Sequence, residues 1–115
     1  MTIEQYNIAV SEVEHYADVE SYVSDMALSS VWGDPEDCAI PAERLDDLRT
    51  IYTAVTRNIR DVVSHSGLSY ARFGQKYNIP TRTVENWCGG VNACSLYTRL
   101  LLQRSEGLLP LTVTP

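Results

Sequence analysis

The chain's three cysteines and two histidines, Cys38, Cys88, Cys94, His15 and His65, are of types that bind metals or pair as nucleophile and base. Their spacing suits neither chemistry. No two stand as Cys-x-x-Cys, and a tetrahedral site needs three or four convergent ligands, so no metal is expected. Nothing supplies a cysteine with an adjacent base and an oxyanion hole. Gly89-Gly90 is an isolated pair that reads as a helix terminator, not a phosphate-cradling loop. The expectation is a protein without catalytic residues or a cofactor.

A different chemistry is available at residues 81–86. Thr81 to about Cys88 reads as a short helix after the tight turn Asn78-Ile79-Pro80, where Asn78 tolerates a positive φ. On it Val84 and Trp87 face inward, while Thr81, Arg82, Glu85 and Asn86 share the outer face. Such side chains can read base edges. Arginine donates two hydrogen bonds to guanine O6 and N7, asparagine pairs with adenine, and glutamate accepts from cytosine N4. The preceding segment, about Tyr70 to Tyr77 and capped by Ser69, brings Phe73 and Tyr77 to Ile79, Val84 and Trp87 in one small core. Gly74 has no side chain, which lets the two helices cross closely. Two short helices joined by a tight turn make a helix-turn-helix, whose second helix enters a major groove by its N-terminal end.

At these residues the chain resembles the lambda-repressor-like (Cro/C1-type, or XRE) regulators. The segment Ile59–Gly90 follows their pattern of a helix, Gly67-Leu68-Ser69, a second helix, Ile79-Pro80, Arg82-Thr83, apolar Val84, and Asn86-Trp87-x-x-Gly90. The stretch Ser95–Gln103 resembles their fourth helix, so the resemblance covers about Val55 to Leu109. It implies a sequence-specific DNA-binding regulator, an autorepressor acting as a homodimer on double-stranded DNA. It also implies the site. Ser69 and Tyr70 touch a phosphate and approach a base edge, with Arg72 beside them. Thr81 and Arg82 read first, followed by Glu85 and Asn86, while Gly89, Gly90 and Asn92 bring backbone and amide donors to phosphate. The chain departs from the pattern at Cys88, where glutamate is usual, and at Val63, a position often basic.

The elements that must position these residues are helical nearly throughout. Thr2 and Gln5 read as a capping box, followed by Ile3, Tyr6, Val10, Val13 and Ala17 at helical spacing and then Val19, Val23 and Met26. Ser29 to Pro35 breaks the period, with Asp34 able to cap a turn opened by Pro35. Leu45, Leu48, Tyr52, Val55, Ile59 and Val62 alternate steps of three and four, which predicts one long helix from Ala42 to about His65, stopped by Gly67. Ser95 opens a last helix on which Leu96, Leu100 and Leu101 face inward, ended by Gly107 and Pro110. The tail to Pro115 is expected to be disordered or an arm packed on a partner.

The predicted fold is therefore all-α: an acidic helical extension over residues 1–40, a lambda-repressor-like helix-turn-helix domain of four or five helices over 41–109, and a tail over 110–115. Charge is uneven between the two halves of the chain. The net charge is −6, yet residues 1–55 hold twelve acids against Arg44 and Arg49, while residues 56–115 hold seven bases against three acids. The asymmetry suggests an acidic module joined to one that faces a polyanion. An alternative is a protein-binding module on the same fold, an antitoxin or a phage-encoded inhibitor, with the acidic half docking a protein partner. Three cysteines without close spacing imply no disulfide framework. No apolar run approaches the ~18 residues of a membrane span, and the N-terminus lacks a basic n-region and an apolar h-region. A reducing, cytoplasmic setting and no membrane partner are expected.

Overall fold

A computed structural model of the chain describes residues 1–33 and 40–115. The described residues form α1 (Ile3–Glu12), α2 (Val19–Ala27), α3 (Ala42–Thr56), α4 (Ile59–Ser66), α5 (Tyr70–Tyr77), α6 (Thr81–Cys88) and α7 (Leu96–Ser105), with 3₁₀ turns at Val13–His15 and Ser30–Trp32. The fold is all-α, and no strand occurs among the described residues. No described helix is long and apolar enough to cross a membrane. The Asp34-Pro35 turn and Cys38 lie outside the described residues.

Two compact units divide the chain, Met1–Thr56 with Pro110–Pro115, and Arg57–Leu109. In the first, α1 opens with the expected capping box. The Thr2 hydroxyl accepts from the Gln5 N–H at 3.1 Å and the Gln5 amide oxygen accepts from the Thr2 N–H at 2.8 Å. Tyr6, Ala9 and Val13 turn inward, whereas Ile3 is exposed and Ala17 falls outside any helix, a correction to the expected stripe. The cause lies in the chain's path: the helix tightens at Val13–His15 and restarts only where the Asp18 carboxylate accepts from the Ser21 N–H at 2.8 Å. Leu48, Ile51 and Ala54 of α3 pack the core with Tyr22, Val23 and Met26. Burying each of Leu48, Ile51, Val23 and Met26 stabilises by about 1.5–3 kcal/mol. The fully buried Tyr22 donates its hydroxyl to the Ala9 carbonyl at 2.6 Å, and its ring lies 5.3 Å from that of Tyr52. Burial pushes the Tyr22 phenol well above its ordinary range.

The long helix expected from Ala42 to His65 is two helices. Arg57 and Asn58 separate α3 from α4, and the Asn58 side chain accepts from the Asp61 N–H at 2.9 Å, capping a new start. Accordingly α3, expected to open the helix-turn-helix domain, belongs to the acidic unit. The tail, expected to be disordered or an arm, is hydrogen-bonded to the chain's first residues. The Ile3 N–H donates to the Thr114 carbonyl at 2.8 Å and the Thr114 N–H to the Met1 carbonyl at 2.9 Å, a parallel bridge between the two ends.

The second unit is built on Ile59, Val62, Val63, Phe73, Val84, Cys88 and Leu102, with Leu68, Tyr77, Ile79, Trp87 and Cys94 packed against them. Two of the positions where the sequence departs from the pattern it resembles, Val63 and Cys88, lie in this core. Gly67 (φ 71°) ends α4 and Asn78 (φ 56°) ends α5, each left-handed as their residue types allow. On α7 Leu102 and Gln103 are buried and Leu96 and Leu100 half-buried, while Leu101 is 65% exposed, which corrects its expected inward place. The Gln103 side chain accepts from Arg57 at 2.9 Å, and Arg99 donates to the Arg57 carbonyl at 2.6 Å. This polar knot turns α7 so that Gln103 takes the buried position and Leu101 emerges. Ser95 stands at the cap position, but its hydroxyl donates to the Thr98 hydroxyl at 2.8 Å instead of holding backbone.

Candidate nucleic-acid interface

The site is set by how α5 meets α6. The Ile79 N–H donates to the Gly74 carbonyl at 2.8 Å, and a Cβ built on Gly74 would stand 2.5 Å from the Ile79 carbonyl oxygen. Only a glycine lets the turn fold back this tightly. Val84 and Phe73, both fully buried, then hold the inner face of α6 against α5.

On the outer face Arg82 and Glu85 are exposed, and Thr81 and Asn86 are half-buried. Ser69 is exposed at the cap of α5, with its hydroxyl oxygen accepting from the Arg72 N–H at 3.2 Å. Tyr70 and Arg72 follow, both exposed. Beyond α6 the expected backbone donors are engaged. The Gly89 N–H donates to Glu85 at 2.8 Å, Gly90 to Trp87 at 3.3 Å, and Asn92 to Asn86 at 3.3 Å. Those carbonyls end a helix and lack partners further along it, so the loop's N–H groups turn onto them. The N–H groups expected at Gly89, Gly90 and Asn92 are thus engaged within the chain. The Asn92 side-chain amide is the polar donor left at that end.

Charge is divided as the fold is. The acidic unit's two bases are both engaged. Arg49 pairs with Glu20, and Arg44 lies 4.8 Å over the Trp32 ring while donating to the Ala27 carbonyl at 3.2 Å. The unit Arg57–Leu109 carries seven bases against Asp61, Glu85 and Glu106. Four of those bases, Arg57, Lys76, Arg99 and Arg104, have partners in the chain. The side chains of Arg60, Arg72 and Arg82 are exposed and make no hydrogen bond or ion pair among the described residues.

One cluster in this unit carries no sequence signal. Lys76 on α5 donates to the Glu106 carboxylate at 2.8 Å, Tyr77 donates to the same oxygen, and Tyr77 also lies 3.0 Å from the Ser105 hydroxyl. Burial pushes Glu106 up, but the hydrogen bonds from Lys76 and Tyr77, with the nearby charges of Lys76 and His65, carry it below the usual carboxylate range.

Cys88 and Cys94 are free thiols that burial pushes up, and no group of three or more His, Cys, Asp or Glu able to hold a metal occurs among the described residues. Compared with models of known protein families, with curated proteins and with solved structures, the chain matches none of them.

Proposed function

We propose that the chain is a sequence-specific DNA-binding regulator of lambda-repressor-like type, with α5 and α6 as its helix-turn-helix. The observation that carries this reading is Arg82. It stands exposed in the first turn of α6, without a partner among the described residues, on a helix whose opposite face is locked into a core. An exposed guanidinium on a fixed helix start is what bidentate guanine recognition requires. Asn86, one turn on, is placed to meet an adenine edge, and Glu85 between them has cytosine N4 as its matching donor. Thr81 adds a hydroxyl at the entry. Ser69, Tyr70, Arg72 and the Asn92 amide take phosphates, which fix register without reading sequence.

One short helix reads few base pairs, so the protein would act as a homodimer on a palindromic site and exclude polymerase there. The test is a gel shift at stated salt on DNA from upstream of its own gene against scrambled DNA. A clear preference for the genomic fragment is the expected result, and equal binding to both sinks the reading.

A second reading has its own observation. The acidic unit builds a separate core around Tyr22, Leu48 and Ile51 and holds twelve acids against two engaged arginines. That surface suits a basic protein partner, and an antitoxin-like module would use it with or without DNA. Co-purification of a basic protein that survives nuclease treatment, from a chain without operator preference, would favour it.

A further inference from the structure

Arg60 belongs to none of the roles described so far. It is the second residue of α4, is exposed, and makes no hydrogen bond or ion pair among the described residues. Its surroundings define where it emerges. Val63, one turn along α4 on the same side, is buried in the cluster that also takes Cys88 of α6. Arg60 therefore leaves α4 at the rim of its packing with the end of α6. The Cys88 thiol, pushed up by burial, is drawn partly back by a hydrogen bond with Tyr70 and by the charge of Arg60. Val63 of α4 and Cys88 of α6 share one cluster, which sets Arg60, one turn before Val63, on the α4 side of that packing.

We infer that Arg60 is a phosphate-contacting residue, which with Tyr70 forms a backbone-gripping edge at the C-terminal end of α6. The inference rests on the DNA-binding reading and adds a contact to it. The physical case is one of availability. Of seven bases in the unit, four are spent on internal partners, and the turn after α6 directs its N–H groups inward. A polyanion running past that end finds the Arg60 guanidinium exposed, with no side-chain partner among the described residues. A guanidinium with no internal partner also gives up no bond when it turns to a phosphate.

The test uses the full chain and a random-sequence duplex, with affinity measured across a salt series. Each phosphate neutralised contributes about −0.9 to the slope of log K against log salt. Arg60→Ala is expected to make the slope shallower by about that amount, with the same loss on random and on cognate DNA. Arg60→Lys is expected to restore it, because a phosphate contact asks only for a positive charge. Both variants are expected to melt with wild type. An unchanged slope in Arg60→Ala, no restoration by lysine, or a lowered melting temperature that accounts for the lost binding would each overturn the inference. A wild-type chain that binds no duplex at low salt instead removes the DNA-binding reading itself.

Discussion

Gly74 and the carbonyl of Ile79 are so close that any side chain at residue 74 collides with backbone, the hypothetical Cβ standing 2.5 Å from the oxygen. A flexible side chain could move aside, but this oxygen is held by the turn that starts α6. Gly74→Ala should therefore cost about 1–3 kcal/mol by overpacking. A thermal melt checks it, and an unshifted midpoint would mean that the α5–α6 crossing is looser than described.

In the acidic unit Leu48 of α3 is fully buried. Leu48→Ala should cost about 2–5 kcal/mol, the spread reflecting how far the core collapses into the gap. Denaturant titration of the full chain measures this. A loss well under that range would show that α3 packs weakly on its neighbours.

Glu106 gives stability a pH dependence whose sign is fixed. Its folded pKa lies below its ordinary value of 4.5. The contribution is complete above that value and is lost as pH falls through the lower folded one, where protonation cancels the carboxylate that Lys76 and Tyr77 hold. Melting temperatures of Glu106→Gln should be lower than wild type at neutral pH and converge with it in acid. Parallel curves down to the lowest pH would remove Glu106 from the account.

Arg82→Ala should leave the melting temperature unchanged, since no described residue depends on that side chain. On a cognate site it should cost about 1–3 kcal/mol and relax preference at one base pair. Binding curves on operators permuted at single positions separate this from a phosphate contact, which would weaken every sequence alike.

Glu4, Glu12 and Glu43 form no ion pair among the described residues. Changing all three to glutamine should strengthen binding to random duplex at low salt by removing repulsion from phosphate. The gain should fade as the Debye length shrinks to about 10 Å near 0.1 M salt. No gain at low salt would mean that the acidic unit's field does not reach bound DNA.

The α5–α6 pair is legible in the sequence because residue type encodes each of its devices: a serine cap, a glycine at the crossing, an asparagine that accepts positive φ. The break at Arg57–Asn58 is not, because the three-four spacing from Leu45 to Val62 runs through it without interruption. Periodicity tells which side of a helix is apolar, not which core that side joins. Leu48 enters the core of one unit and Ile59 that of the other. The cap signal is Asn58, whose side chain accepts from Asp61 three residues on, and it leaves the spacing of the apolar seam unchanged. For the site, sequence supplies candidates but not availability. Lys76 and Arg82 look alike as cations, yet Lys76 is bound to a carboxylate thirty residues away.

The bridge between Met1 and Thr114 has a consequence for assembly order. A chain made from its N-terminus exposes the whole stretch Arg57–Leu109 before Thr114 exists, so the seam joining the two ends can form only after the middle unit is complete in length. Contacts so distant in sequence also close slowly. The nascent protein thus has Arg57–Leu109 complete in length while the acidic unit still waits for its final clasp.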